Sequence, residues 1–220
     1  MRGRCLLWAH RMGMPIVKAM LALACLDALT YADEFVPTIT AAKVVTPSEA
    51  VPGHFVDPRD KHRYGTVKIG DQTWMAENLA MWTMGSWCYE GQERNCQTYG
   101  RLYSWQSSRM ACPDGWHLPT VADWDLLRTA TGILETGTRL KARKGWNGAD
   151  AYGFHALPGG ARNGDGTYDV KDSCATWWSA TTDSPEGTYV YGLITENPSM
   201  VTMPVSNRMA FSVRCVKNGR

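Results

Sequence analysis

The chain has 220 residues, of which 44% are hydrophobic and 20% are charged, so it is long enough to bury the core of one sizeable domain. The formal net charge of +2 hides an asymmetry: residues 1–32 hold four of the 23 basic residues and one of the 21 acidic ones, which leaves −1 for the remainder. A remainder without a basic excess argues against nucleic-acid binding, because phosphate backbones attract basic surfaces.

Residues 1–32 have the composition of a signal peptide. Arginines precede an apolar stretch that is shorter than a membrane-spanning helix requires. Thr30-Tyr31-Ala32 ends the segment with the small-x-small pattern of a cleavage site. The alternative is a lipoprotein signal in which Cys25, preceded by the small residue Ala24, carries the lipid. Both interpretations predict an exported protein that is secreted or held at the cell surface, for instance as an outer-membrane lipoprotein.

Residues 33–62 have the composition of a linker. Their prolines are scattered among threonine, serine and charged residues, and no hydrophobic period is sustained. We therefore predict that the folded domain extends over residues 63–218.

Two short alternating segments open this domain. Thr66–Ile69 and Gln72–Met75 flank the two-residue turn Gly70-Asp71, which predicts a β-hairpin. Further along, Gln106–Ala111 is predicted to form a short helix.

The stretch Cys112–Thr131 carries the densest local signals. It opens with the turn Cys112-Pro113-Asp114-Gly115, and Thr120 is then a natural helix N-cap. Asp123 completes a capping box with Thr120, and the helical hydrophobic period that follows ends before Gly132. A tight turn and a helix of about three turns are therefore predicted as one unit.

The last third of the chain alternates strands and turns. The predicted strands are Trp177–Thr181, Thr188–Ile194, Met200–Val205 and Met209–Val216. Together with the two helices, they predict an α+β fold with many short strands and long loops.

Five cysteines follow residue 32, and an exported chain favours disulfides over metal sites. No C-x-x-C pair occurs, and the histidines are not spaced as zinc ligands, so no metal site is predicted. We predict that Cys88–Cys96 closes a local loop and that Cys112–Cys215 ties the helix unit to the final strand. Cys174 is then left as a free thiol or, without a histidine nearby in the sequence, a poorly supported nucleophile.

Nine of the ten tryptophans lie between Trp74 and Trp178. Most of them are predicted to fill the core of a domain that has little regular structure, and the alternative is stacking on sugars. Trp177 and Trp178 are adjacent in a predicted strand and should point to opposite faces, so we expect one of the two to be exposed.

Six landmarks follow one another in the chain: Gly65–Leu79 (GTVKIGDQTWMAENL), Cys96–Trp105 (CQTYGRLYSW), Cys112–Leu127 (CPDGWHLPTVADWDLL), Leu157–Arg162 (LPGGAR), Trp178–Thr181 (WSAT) and Phe211–Lys217 (FSVRCVK). In this order they resemble the Fibrobacter succinogenes major paralogous domain, which occurs in exported bacterial proteins of largely unassigned function. The resemblance covers about residues 63–218.

That family is in turn similar to the formylglycine-generating-enzyme (sulfatase-modifying-factor) and C-type-lectin-like folds. The resemblance implies a lectin-like α+β domain with short strands, two helices and long loops, whose termini lie close together on a small sheet.

The chemistry of the related enzymes does not transfer to these residues. Formylglycine-generating enzymes hold copper with two cysteines near the C-terminal strand, whereas Cys215 has no companion thiol at Ala210 or Arg214. The iron sites of the related sulfoxide synthases need at least three suitable histidines. The histidines after residue 32 are scattered: His54, His62, His117 and His155. We therefore predict no enzyme activity and no catalytic residue.

Calcium-dependent sugar binding has only weak signals. C-type lectins use an E-P-N or Q-P-D loop, and Glu196-Asn197-Pro198 has this composition in a different order. The segment Asn163–Asp169 places side-chain oxygens at alternate positions, as a calcium loop does, but an Asx-rich turn also explains it. No cofactor is predicted, and calcium is the alternative.

The predicted binding surface lies on the strands and loops after Cys174. Its candidate residues are of the kinds found on antibody-like surfaces: Trp177, Tyr189, Tyr191, Asn197, Asn207 and Arg208. We predict an extracellular binding or interaction module for a glycan or a protein, with no nucleic-acid partner and no membrane contact beyond an N-terminal lipid. The alternatives are a degenerate or rebuilt formylglycine-generating-type enzyme and a structural component of a surface assembly.

Overall fold

A computed structural model describes residues 44–219. The predicted signal segment, Cys25 and the first part of the predicted linker lie outside the described residues. Within residues 44–219 the chain forms 13 β-strands and four α-helices, which confirms the α+β class. The finer lectin-like assignment stays a prediction. No helix among the described residues has the length and apolarity needed to cross a membrane.

The helices are α1 (Glu93–Tyr99), α2 (Trp105–Ser108), α3 (Val121–Thr131) and α4 (Thr136–Leu140). The strands are β1 (Val51–Val56), β2 (Arg63–Ile69), β3 (Gln72–Met75), β4 (Ser86–Trp87), β5 (Leu102–Ser104), β6 (Trp116–His117), β7 (Ala161–Arg162), β8 (Tyr168–Asp169), β9 (Cys174–Ser184), β10 (Gly187–Ile194), β11 (Val201–Ser206), β12 (Ala210–Ser212) and β13 (Val216–Lys217). The sequence predicts two helices instead of four, because α1 and α4, at seven and five residues, are too short to display a hydrophobic period.

The strands form two sheets. The first has the order β1-β2-β3-β13-β6. The second has the order β11-β10-β9-β12-β5-β4, with β7 attached to β12 and β8 attached to β7. β12 and β13 follow each other closely in the chain, yet each occupies an interior position in a different sheet. The final segment of the domain therefore belongs to both sheets.

The predicted hairpin is confirmed, since β2 and β3 pair in antiparallel register with Ile69 opposite Gln72 across the turn. β1 lies within the segment that has the composition of a linker, and it pairs with β2 over six residues. Because β1 is an edge strand with mostly exposed side chains, it needs no apolar alternation, and an edge position tolerates Pro52. Composition alone therefore gives no signal for this strand.

Helix α3 begins and ends at its predicted residues. The Thr120 hydroxyl accepts a hydrogen bond from the Asp123 amide, and the Asp123 carboxylate accepts one from the Thr120 amide, so the capping box is complete. Gly132 follows the helix with φ of 86°, a conformation that favours glycine at this position. The helix buries Trp124, Leu127, Ala130 and Thr131 against the sheets.

Large aromatic rings fill the main core. The Trp124 ring lies between those of Trp74 and Tyr191, with centroid distances of 4.7 and 5.4 Å. Phe154 packs edge-on against Trp74 and Trp177. These rings connect α3 to both sheets, in agreement with the prediction that most tryptophans are structural.

The expectation that Trp177 or Trp178 is exposed is wrong, because both side chains are 0% exposed. The two side chains lie on opposite faces of β9 and so have different neighbours. The ring centroid of Trp177 lies 5.7 Å from that of Trp124, and the ring centroid of Trp178 lies 4.9 Å from that of Phe211. Trp105 at the start of α2 also covers Trp178, at 5.4 Å. Strand alternation fixes which face a side chain occupies, but here helices cover both faces of an interior strand.

Both predicted disulfides are present. Cys88 is bonded to Cys96, and Cys112 is bonded to Cys215. The prediction that Cys174 is a free thiol or a nucleophile is wrong, because it is disulfide-bonded in the structure.

The two crosslinks should contribute unequally to stability. They join residues 8 and 103 positions apart, so the chain-entropy model predicts losses of about 2.5 and about 4.7 kcal/mol when they are removed. The variants Cys88→Ala/Cys96→Ala and Cys112→Ala/Cys215→Ala, compared by urea unfolding, test this order. A larger loss for the short loop would contradict it.

Candidate functional site

A polar cleft of about 380 Å³ lies beside the junction of the final segment with the loop after β3. Its floor is made by Asn78 and Arg214, both of which are buried. Its walls come from four other parts of the chain: Asp60 and His62, Glu77 and Ala80, Glu93 to Gly100, and His155 with Leu157. The size fits a small ligand or one end of a longer one.

The Asn78 amide joins separate elements at the floor. Its Nδ2 donates hydrogen bonds to the Tyr99 carbonyl at 2.8 Å and to Ser212 Oγ at 3.3 Å. Its Oδ1 accepts hydrogen bonds from Trp177 Nε1 at 2.8 Å and from the Nε and Nη2 of Arg214 at 3.1 and 2.7 Å. Because donors and acceptors surround both ends of the amide, its orientation is fixed.

The Arg214 guanidinium is fully enclosed, and its Nη1 donates a short hydrogen bond to the Phe154 carbonyl. Its Cζ lies 4.3 Å from the Phe154 ring centroid and 5.4 Å from that of Trp177. Burial lowers the pKa of Arg214 to about 9, and the charges of Glu77 and Asp150 oppose that shift. The cation is therefore held by neutral acceptors and aromatic faces, with no carboxylate in contact with it among the described residues.

Three carboxylates lie above this floor: Asp60, Glu77 and Glu93. Glu77 Oε1 accepts a hydrogen bond from the Gly65 amide at 2.6 Å, while its Oε2 lies 3.9 Å from His62 Nε2. Asp60 and Glu93 are exposed. The cleft thus presents acceptors at its rim and a cationic donor at its base.

A histidine–aspartate pair closes one side of the cleft. His155 Nδ1 lies 3.0 Å from Asp150 Oδ2, and the His155 amide donates to Asp150 Oδ1 at 2.8 Å. Both residues have positive φ, 52° for His155 and 42° for Asp150, which is uncommon for residues other than glycine. The carboxylate orients the imidazole, which remains half exposed at the cleft.

Another wall is the end of α1, where the chain passes very close to Asn78. Gly100 has φ of 74°, and a Cβ atom at this position would lie 2.7 Å from the Cβ of Asn78. Only glycine fits without displacing Asn78, so the sequence Tyr99-Gly100 sets the position of this wall.

The structure does not place all predicted binding residues on a surface. Trp177 and Tyr191 are buried, and the Tyr191 hydroxyl donates to Asp125 Oδ1 at 3.1 Å beneath α3. Their side chains therefore belong to the core, because the face of β9 and β10 that carries them is covered by α3.

The other four predicted residues do lie at the surface, but apart from the cleft. Tyr189 is half-buried on β10 and hydrogen-bonds Asp183. Asn207 accepts a hydrogen bond from Thr188 Oγ1 at 2.6 Å beside the exposed Arg208. Asn197 lies in the turn after β10, at the opposite end of that strand, where its Oδ1 accepts from the Ser199 amide at 2.8 Å. These residues do not form one cluster.

A lysine occupies the turn that carries the Glu196-Asn197-Pro198 signal. The buried Lys141 places its Nζ 3.1 Å from the Ile194 carbonyl, 3.0 Å from that of Thr195 and 3.1 Å from that of Asn197. Burial lowers the pKa of Lys141, and Glu196 opposes the shift. These carbonyl oxygens are committed to an ammonium group, and a calcium ion would have to displace it.

The segment Asn163–Asp169 forms the tip between β7 and β8. Asp165 Oδ1 accepts hydrogen bonds from the amide and hydroxyl of Thr167, at 3.0 and 2.6 Å, and Asp169 Oδ1 accepts from the Val170 amide. The side-chain oxygens thus bond within the turn, which agrees with the Asx-turn interpretation.

Two further groups are structural. Cys88, Glu93 and Cys96 bring together three side chains of kinds that bind metals, but the two sulfurs are bonded to each other. His117 lies 2.7 Å from Asn218 Oδ1 through Nδ1 and 3.3 Å from Asp123 Oδ2 through Nε2, so it bonds the end of the chain to the cap of α3.

The residues of the cleft are not predicted from the sequence. Arg214 had one detectable signal: it is the only charged residue in the apolar segment Phe211–Val216. Asn78 and His155 carry no comparable signal. Asn78 bonds Arg214 from 136 positions away, and His155 reaches the cleft beside Phe154, whose carbonyl bonds Arg214 from 60 positions away. His155 is held at the cleft by Asp150, which bonds its imidazole, and by its neighbour Phe154, whose carbonyl bonds Arg214.

These features define a class of protein: an α+β domain with disulfide crosslinks, a dense aromatic core and a small polar cleft. The family model of the Fibrobacter succinogenes major domain matches residues 67–217, and the chain belongs to this family. Comparison with curated proteins gives no match, and comparison with solved structures gives none either.

Asn78 should be essential for stability as well as for the shape of the cleft. The variant Asn78→Ala leaves the Trp177 indole and two guanidinium nitrogens of Arg214 without their acceptor, so a loss of about 3 kcal/mol or more is expected.

Urea unfolding of this variant beside Gln97→Ala, an exposed position on the same cleft wall, provides the measurement and its control. The control should remain within about 0.5 kcal/mol of the parent chain. A loss below about 1 kcal/mol for Asn78→Ala would show that other groups satisfy the buried cation.

Proposed function

We propose that this domain is an extracellular binding module and that its ligand is a neutral glycan bound in the cleft. The observation that carries the proposal is the pairing of rim acceptors (Asp60, Glu77 and Glu93) with a buried cationic donor, Arg214, in one small cleft. Sugar hydroxyl groups both donate and accept hydrogen bonds, so a polyol satisfies both kinds of group at once.

The hydrogen bonds of Arg214 support this assignment. Its guanidinium has five N–H groups, and three nitrogens make the bonds to Asn78 and Phe154. One N–H on each terminal nitrogen therefore has no acceptor among the described residues, although the group lines the cleft. A buried donor of this kind is stabilised when a ligand oxygen accepts from it.

The charge balance favours a neutral ligand over a polyanion. Three carboxylates surround the entrance, so a chain of phosphates or carboxylates would meet repulsion before it reached the floor. This agrees with the net charge of −1 for the chain beyond residue 32.

An extracellular location is part of the proposal. The Cys88–Cys96 and Cys112–Cys215 disulfides support it, because such bonds persist in oxidising compartments and are rare in the cytosol. The signal-like composition of residues 1–32 supports it as well, with secretion or lipid attachment at Cys25 as the two forms of export.

A protein ligand is the second candidate. It is favoured by three strongly exposed apolar side chains near α2: Trp82, Met84 and Met110. Met84 and Met110 are both bonded through their backbones to Ser107, which brings this part of the loop next to the helix. Tryptophan and methionine are enriched at protein interfaces. No comparable observation favours an enzyme of the formylglycine-generating type, because the Cys215 thiol is bonded to Cys112.

The cleft assignment predicts a specific loss of carbohydrate binding. The full chain should bind members of an array of neutral oligosaccharides, and the variant Asp60→Asn/Glu93→Gln should bind them about tenfold more weakly, since it removes two charged acceptors.

The control is Asp114→Asn, which alters an exposed carboxylate in the turn before β6, outside the cleft. Its affinity should match that of the parent chain in calorimetric titrations with the same oligosaccharide. If no neutral oligosaccharide binds, or if the double variant binds as tightly as the parent, the cleft is not a glycan site.

A further inference from the structure

A second group of side chains lies outside the cleft, on the β7–β8 hairpin and the adjacent β4. Arg162 and Tyr168 are directly opposite each other in the hairpin, so they share one face. The Arg162 Cζ lies 4.2 Å from the ring centroid of Trp87 and 5.9 Å from that of Tyr168. We call Arg162, Trp87 and Tyr168 the Arg162 cluster. All three side chains are half-buried, so one side of the cluster faces solvent.

The guanidinium of Arg162 lies between the aromatic rings and the hairpin tip, where a Cβ atom at Gly166 would be 3.1 Å from its Nη2. None of its nitrogens has a hydrogen-bond acceptor or an ion-pair partner within residues 44–219, and its Nε is shielded from solvent. A flat guanidinium held against an indole face keeps its plane fixed, while its N–H groups stay available in that plane. The terminal nitrogens of Arg162 are therefore oriented but uncommitted.

The cluster carries a cation that no carboxylate of residues 44–219 pairs with. The nearest carboxylates in the hairpin are already bonded within their own turn, Asp165 to Thr167 and Asp169 to the Val170 amide. Arg208 also packs against the hairpin tip, since its Cβ lies 3.0 Å from the position that a Cβ atom would take at Gly164. This contrasts with the cleft, whose entrance carries three carboxylates.

The aromatic rings of the cluster indicate what kind of molecule would carry the anion. Tyr168 is half-exposed, and its ring packs 5.1 Å from that of Tyr89, which fixes its orientation. A fixed aromatic face beside an uncommitted guanidinium matches a ring-shaped ligand that has one apolar face and a carboxylate at its edge. Two parallel N–H···O bonds from an arginine suit the carboxylate geometry.

We propose that the Arg162 cluster is a second binding site, which takes a carboxylate-bearing sugar residue of the uronic acid class. Arg162 donates to the carboxylate through its terminal nitrogens, and Tyr168 supports the apolar face of the sugar ring. The inference rests on the proposed function in assigning carbohydrate ligands to this domain, but it concerns separate residues.

The test uses oligogalacturonate and its fully methyl-esterified form, which keeps the sugar rings and loses the negative charges. The parent chain should bind oligogalacturonate at least about tenfold more tightly than the ester, because the ester removes the charged hydrogen bonds. The variant Arg162→Lys keeps the positive charge but loses the planar paired donors, so binding of the acid should fall by about tenfold.

The matched control is Arg109→Lys. Arg109 also lies over a tryptophan ring, 5.9 Å from the centroid of Trp105, but it is outside the cluster. Its affinity for oligogalacturonate should equal that of the parent chain, and urea unfolding should show that both variants remain folded.

Three results would overturn the inference: no binding of oligogalacturonate, equal binding of acid and ester, or unchanged binding by Arg162→Lys. The cleft assignment fails independently of these outcomes. It is tested by the binding of neutral oligosaccharides and by substitution of Asp60 and Glu93. The comparison of oligogalacturonate with its ester uses none of these.

Discussion

The contact between Asn78 and Arg214 is the constraint on which the arrangement of the domain depends. A fully buried guanidinium is costly unless acceptors surround it, and here they come from Asn78 and from the Phe154 carbonyl. Asn78 can serve because Trp177 and the Tyr99 carbonyl hold its amide from the other sides. One polar network thus fixes the relative positions of β9, the end of α1 and the two loops that form the cleft.

The same network explains why the cleft is polar although it adjoins an aromatic core. The Arg214 guanidinium has Phe154 and Trp177 on its apolar faces and the cleft at its edge, so it separates the two environments. Cys215, the next residue, is bonded to Cys112 in the turn that precedes α3. The cation and the crosslink, adjacent in the chain, therefore fix the final segment both to the cleft floor and to the helix.

Features with local causes could be predicted from the sequence. The capping box of α3 and the turn at Gly70-Asp71 depend on residues within a few positions of each other, and both are confirmed. The burial of Trp177 could not be predicted, because the alternation of side chains along a strand assigns each one to a face but does not show what covers that face. The cleft could not be predicted either, because its floor depends on a contact between Asn78 and Arg214. These residues are 136 positions apart, and nothing in the sequence near one of them indicates that it contacts the other.

The position of β12 and β13 has a consequence for how the domain is made. β12 lies between β9 and β5, and β13 lies between β3 and β6, so residues 210–217 complete the interior of both sheets. Neither sheet has all of its interior strands until this segment has been synthesised. A chain interrupted before Ala210 would expose unpaired strand edges on two sheets at once. The interior of both sheets is therefore completed only when the C-terminal part of the domain is in place.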